Sequence, residues 1–387
     1  MKKTIKDYDY ENKTVIIRCD LNVPIDNGIV TDVTRIKESL ISLNYLLEKK
    51  AKVIILSHLG KVKTEEDKIK NSLKPVYEKL KNMIKYPIYF SEETRGSKLE
   101  DQISTLKPGE AILIENTRYE DLEGKKESSC DENLSSYWAG LADIYINDAY
   151  GTSHRSHASN VGISKKLPNG VGFLIEKEIT KLDEIMNENT NPFIVIMGGK
   201  KISDKTLVIE NLITKCDKIL IGGGMCFTFL KALGINIGAS IVDDENIEFC
   251  QQMLKKYSDK IILPIDVVTN NNEIKNIEDL TNNDAGYDIG PKTIELYTKH
   301  LKTAKRVVVN GPMGIFEDER FAKGTSELYK CLKDNNIKTL IGGGDSAASV
   351  NILGYQDAFF HISTGGGATL EYLSGKELPG IASIDEK

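Results

Sequence analysis

The stretch "VIMGGKKISDK" (195–205) decides how this chain is to be read. An apolar, β-branched run stops at two glycines, two lysines follow, and Ser203 is a plausible cap for a helix that comes next. Strand, loop and helix in that order suit an anion. Glycine lets backbone come close to a phosphate, and the free N–H groups of the following helix then face it. It is not a P-loop, because GxxxxGK followed by Ser or Thr occurs nowhere in the chain. The same grammar repeats on both sides of it. Strands are expected at 14–22, 52–58, 111–117 and 143–149, then at 193–199, 218–224, 260–266, 306–312, 339–345 and 358–367, with amphipathic helical patterns between them. Such alternation argues for βαβ units, and continuous apolar runs fit parallel strands covered on both faces.

The two halves meet at "GFLIEKEITKLDEIMNENTNP" (172–192), where Ile175, Ile179, Leu182 and Met186 repeat at helical spacing. This predicts a helix joining two α/β domains; a crossover helix inside one large domain is the alternative. A length of 387 residues accommodates either. The net charge of −6 offers no global basic field for nucleic acid or an anionic membrane, so any anion site must be local. No apolar run approaches the ~20 residues of a membrane span. The six cysteines are scattered without CxxC or zinc spacing, which reads as reduced thiols in a cytoplasmic protein.

Residues just after the strands should line the ligand sites of open α/β sheets, and the halves differ there. The first half places Arg18, Asp20, Leu21 and Asn22 after its first strand, then His58, Leu59, Gly60 and Lys61, then Arg118, then His154 and Arg155; Arg35 opens a helical stretch. With only 7 arginines beside 44 lysines, arginine positions are informative, since guanidinium binds carboxylate and phosphate bidentately. The set suits a small polyanion; structural ion pairing is the bland alternative. His154 and His157 have a permissible metal spacing, but Arg155 between them would repel a cation. The second half ends its strands in glycine: Gly198-Gly199, Gly222 to Gly224, Gly311, Gly342 to Gly344 and Gly365 to Gly367. Five such loops suggest a nucleotide platform, and Asp345 and Ser346 offer hard oxygens for a phosphate-bound Mg²⁺. The absent GxGxxG fingerprint weakens a nicotinamide-dependent oxidoreductase. Phosphoryl transfer, which is mostly positioning and charge neutralisation, fits better.

At this point the residues resemble a known family. The blocks "VIIRCDLNVP", "SHLGK", "IENTRYE", "YINDAYGTSHRSHAS", "GGKKISDK", "IGGGMCFTFLKALG", "LPIDVV", "DIGPKT", "NGPMGIFE", "IGGGDSAAS" and "STGGGATLEYLSGKELPG" are similar, in order, to those of phosphoglycerate kinases. The resemblance implies two Rossmann-like domains, each a mostly parallel sheet flanked by helices, joined by a hinge helix. The N-terminal domain (1–171) would bind phosphoglycerate, the helix would span 172–190, and the C-terminal domain (191–373) would bind nucleotide. The tail (374–387) would return to the first domain. The implied reaction is reversible transfer of phosphoryl from 1,3-bisphosphoglycerate to ADP, giving 3-phosphoglycerate and ATP, in a cytoplasmic monomer that closes by hinge bending.

By motif position, Arg18, Asp20, Leu21, Asn22, Arg35, His58, Leu59, Gly60, Lys61, Arg118, His154 and Arg155 would hold the phosphoglycerate. Lys201, Lys205, Gly286, Asn310, Glu317, Gly343, Gly344, Asp345 and Ser346 would hold the nucleotide, with Asp345 on Mg²⁺. Arg35, Lys201 and the amides of Gly365, Gly366 and Gly367 would serve the migrating phosphoryl group. Some positions depart from the family. Lys61 stands where arginine is frequent, Ser346 where threonine is common, and "LTNNDAGYDIG" (280–290) lacks a Trp-containing approach. Lys200 replaces a small residue and is expected to be the dispensable lysine of the pair, nearly silent when changed to alanine.

Overall fold

The computed structural model describes residues 1–387. The chain divides into two compact units, Met1–Thr180 with Glu377–Lys387, and Lys181–Lys376. The division falls inside the helix Phe173–Asn187.

The first unit is built on a six-stranded parallel sheet. Its order is Ile88–Ser91, Ala111–Ile114, Lys52–Leu56, Thr14–Cys19, Ile144–Asp148, Asn169–Val171. The chain moves outward to one side of Thr14–Cys19 and later resumes on the other. The order therefore reverses between Thr14–Cys19 and Ile144–Asp148, and the crevice lies at their carboxyl ends. "IYIND" is buried at every position, as expected for a strand with helices on both faces.

The second unit repeats the plan with another parallel sheet, ordered Ile261–Ile262, Lys218–Ile221, Phe193–Met197, Arg306–Asn310, Lys338–Ile341, His361–Ile362. Its reversal falls between Phe193–Met197 and Arg306–Asn310, both wholly buried. The loop that opened the sequence reading therefore starts at a switch point. The run read as one strand over 260–266 is instead Ile261–Ile262 followed by Asp266–Thr269, which leaves the main sheet. Asp266–Thr269 pairs antiparallel with Ile274–Asn276 and with Gly286–Ile289. This small sheet carries Gly286 and Tyr287.

The helix Phe173–Asn187 is held at each end by a buried polar side chain from a sheet. Asp148 Oδ1 accepts from the N–H groups of Leu174 (2.8 Å) and Ile175 (3.4 Å), two of the orphan donors of the first turn. Gly172 permits this, since a Cβ there would lie 2.3 Å from the carboxylate. Burial pushes the Asp148 carboxyl up to about 7. At the other end Arg306 donates through Nη1 to Ile185 O and through Nε to Thr190 O (2.9 Å), matching the negative end of the helix dipole. No helix is long and apolar enough to cross a membrane.

Candidate active site

In the first unit the expected residues form linked ion-dipole clusters at the strand ends. Arg18 is fully buried on the central strand. Its Nε donates to Ser159 Oγ at 2.9 Å, and its Nη2 lies 3.2 Å from His58 Nδ1. Arg35 reaches Asp20 through Nη1 at 2.9 and 3.0 Å and Asn22 O at 3.2 Å, so the rest of its guanidinium fork is not used in these contacts. Asn22 Oδ1 accepts from Gly60 N–H at 2.9 Å, which joins the first two loops. Leu21 N–H donates to Ser57 Oγ (2.9 Å) and Leu59 N–H to Asn116 Oδ1 (3.2 Å); both contribute backbone rather than side chain to the framework.

Arg118 Nη1 pairs with Asp121 at 2.7 Å, its Nη2 lies 3.4 Å from His157 Nε2, and its buried Nε has no partner. Arg118 and the exposed Lys61 line one cavity of about 700 Å³ with Asp121 and Ser128. Arg155 donates from Nε to His154 Nε2 at 3.0 Å.

The histidines report the local field. Burial, then the charges of Arg18 and Arg118, hold His58 well below the usual imidazole value. Burial, then Arg118, Arg18 and Arg155, push His157 down to about 3. Both are neutral at pH 7, so the net cationic character comes from the arginines.

Sequence reasoning missed the groups that hold these residues. Asn116 accepts from Leu59 N–H and Arg118 N–H and donates to Leu59 O and Asn71 O, tying three segments. Glu127, fully buried, accepts from Ser159 and faces Arg18. The blocks "IENTRYE" and "SHRSHAS" already held Asn116 and Ser159, but neither stood among the expected site residues.

In the second unit the glycines bring backbone segments into direct contact. A Cβ on Gly198 would sit 2.0 Å from Pro312 O, and one on Gly311 would sit 2.2 Å from Gly198 O. Lys205 binds this junction from below, its Nζ donating to Gly198 O (2.6 Å) and Asn310 O (2.9 Å). Burial, offset in part by Asp345 and Asp204, lowers its ammonium to about 8. Asn310 Nδ2 donates to Gly342 O at 2.9 Å, and Ser346 Oγ accepts from Gly311 N–H at 2.6 Å. Gly343 has φ +96, and a Cβ there would stand 3.0 Å from Asn310 Nδ2.

Above this junction lies a cavity of about 780 Å³. Gly286, Glu317 and Asp345, three of the expected nucleotide residues, line it, and so do Tyr287, Ile315 and Phe316. Lys200 lines it as well, whereas Lys201 does not. Gly286 has no room for a side chain, since a Cβ would be 2.2 Å from Phe227 Cζ. Asp345 is exposed in the first turn of the helix Gly344–Ile352, a carboxylate geometry compatible with a hard cation on a phosphate. Gly366 takes φ +51 immediately before the short helix Gly367–Leu373. The Gly365 N–H donates to Ser363 Oγ at 3.2 Å, and the Ala368 N–H to Gly365 O at 3.0 Å. Ser203 does not cap the helix that follows. That helix is Thr206–Ile213, preceded by Lys205, because a turn intervenes; Ser203 N–H instead donates to Asp243 at 3.1 Å.

The family model for phosphoglycerate kinase matches residues 5–376. The phosphoglycerate kinase of Fusobacterium nucleatum subsp. nucleatum is 52% identical over 399 residues, covering 100% of both chains. That of Enterococcus faecalis is 49% identical over 396 residues, also covering 100% of both. Among solved structures, phosphoglycerate kinase from Coxiella burnetii aligns with a TM-score of 0.88 at 34% identity, covering 99% of this chain and 98% of that one. The enzyme from Pyrococcus horikoshii OT3 aligns with a TM-score of 0.85 at 31% identity, covering 98% of each.

Proposed function

The chain belongs to the phosphoglycerate kinase family, phosphotransferases with a carboxyl group as acceptor, and from that premise we propose how its own residues divide the work. The first unit binds 3-phosphoglycerate or 1,3-bisphosphoglycerate, and the second binds ADP or ATP. The observation that carries this reading is the position of each residue set at the carboxyl ends of the strands of its own sheet, charged side chains in one and glycine backbone in the other.

In the forward direction a β-phosphate oxygen of ADP attacks the acyl phosphorus. A new P–O bond forms, the bond to the carboxyl oxygen breaks, and the electron pair leaves with the carboxylate. Arg35 has guanidinium N–H groups beyond those engaged by Asp20 and Asn22, and these meet the migrating phosphoryl group. Lys201, exposed on the turn after Gly199, meets it from the nucleotide side. Arg18, Asn22, Arg118 and Arg155 hold the phosphoglycerate, with Lys61 as a point charge near Arg118. Lys205 sets the Gly198–Asn310 junction on which the phosphates rest. Asp345 fits Mg²⁺ carried on the nucleotide, which supplies charge neutralisation when bound.

We further propose that transfer requires a closing movement about the helix Phe173–Asn187, because the reaction needs both substrates together and water excluded. The six free cysteines support a cytoplasmic setting. A coupled assay with 3-phosphoglycerate and MgATP tests the reading; a folded protein without turnover overturns it. Small-angle scattering with both substrates tests closure, and an unchanged radius of gyration counts against it.

A further inference from the structure

The sequence reading of "GGKKISDK" makes Lys200 the spare lysine, yet Lys200 lines the cavity of the second unit and Lys201 does not. The turn explains why. Gly199 takes φ +102, and the Lys200 carbonyl packs so closely on Gly224 that a Cβ there would be 2.7 Å from it. Backbone contact on both sides fixes residue 200 at the wall. Three charged side chains line this cavity: Lys200, Glu317 and Asp345. Lys200 is the one cation among them. Its ammonium takes no part in the ion pairs and side-chain hydrogen bonds of the unit. Lys205 differs, since its Nζ is committed to two carbonyls, Gly198 O and Asn310 O.

Without Lys200 the lining would carry two carboxylates and no cation, a poor receptor for a polyanion. We propose that Lys200 binds the diphosphate of the nucleotide and makes this cavity select a nucleoside diphosphate over the bare nucleoside. This rests on the nucleotide-binding reading above and adds a binding residue that the motif comparison treats as dispensable.

The test is calorimetric titration of the whole protein with ADP and with adenosine, using Lys200→Arg, Lys200→Ala and Lys200→Glu. The side chain is exposed, so thermal unfolding should be the same for all three and for the parent. Lys200→Ala is expected to weaken ADP about fivefold at low salt, as for a partly exposed ion pair. Lys200→Arg should bind ADP like the parent, and Lys200→Glu more weakly than the alanine variant. Adenosine affinity should not follow the series, and the ADP differences should shrink as salt is added. A parent that binds ADP together with a flat series, or a series that adenosine follows equally, overturns this inference and leaves the nucleotide reading standing. A parent that does not bind ADP overturns both.

Discussion

The two units share a sheet plan and differ in what stands at its switch point. In the first, charge sits on side chains held by buried or partly buried partners: Arg35 by Asp20, Arg118 by Asp121, Arg18 by Ser159 and His58. In the second, strand ends are glycine, and the chain approaches itself so closely that Gly198 and Gly311 have no space for a methyl group. The lesson is that one unit is sensitive to losing atoms and the other to gaining them. A small, fully charged substrate is gripped by side chains. A long polyphosphate needs a surface that backbone can reach.

The largest effect should come from the side chains closest to the migrating charge. Arg35→Ala and Lys201→Ala should each lower kcat by ~100-fold or more, since they remove stabilisation needed most in the transition state. Steady-state turnover at saturating substrates measures this, and near-parental kcat in either variant breaks its assigned role. Next comes an addition. Gly198→Ala forces a Cβ to within 2.0 Å of Pro312 O. Overpacking of this kind costs about 1–3 kcal/mol, and the loss should appear in both the urea midpoint and ADP affinity. A silent Gly198→Ala would show that the junction yields, and the contrast between the units would fail.

A smaller effect is expected from pH. His157 is held at about 3 in the folded chain against an ordinary 6.5. Between those values the unfolded chain binds the extra proton, so this residue's contribution to stability is lost as pH falls from 6.5 toward 3. Asp148 acts in the opposite sense, because its carboxyl is raised and the folded state holds the proton. Comparing His157→Gln with the parent isolates the histidine. The difference in urea midpoint should move in the variant's favour between about pH 7 and about pH 5; an unchanged difference would mean that burial and the arginine field at His157 depress its protonation less than the geometry implies. Smallest is Lys61→Arg. A guanidinium at this point of the 700 Å³ cavity should tighten 3-phosphoglycerate about twofold to threefold through bidentate contact. Isothermal titration decides it, and weaker binding would show that Lys61 is already optimally placed.

Much of this was legible in the sequence because the informative residues follow strands. Arg18, Arg118 and the glycine pairs announce themselves by type, and a parallel sheet brings the ends of separated strands together. Three features were not legible. The antiparallel sheet around Asp266–Thr269 uses strands of three or four residues, too short for periodicity to separate from the adjoining run. Lys205 ties Gly198 to Asn310, a contact over 105 residues that no local pattern encodes. Lys200 lines the cavity of the second unit and Lys201 does not, and a string of letters assigns neighbouring lysines no direction.

The tail has a consequence in time. Residues 377–387 belong to the first unit. Gly380 donates to Ser153 O and its carbonyl accepts from Asn147 (both 2.8 Å), and Asp385 O accepts from Lys3 N–H at 2.8 Å. Asn147 lies one residue before the end of the strand Ile144–Asp148, and Ser153 precedes His154 and Arg155. A chain made from its N-terminus therefore releases all of 181–376 before the last piece of the first unit leaves the ribosome. The half that is translated first is the last to be completed. The loop that carries His154 and Arg155 gains these hydrogen bonds only after the second unit has been made.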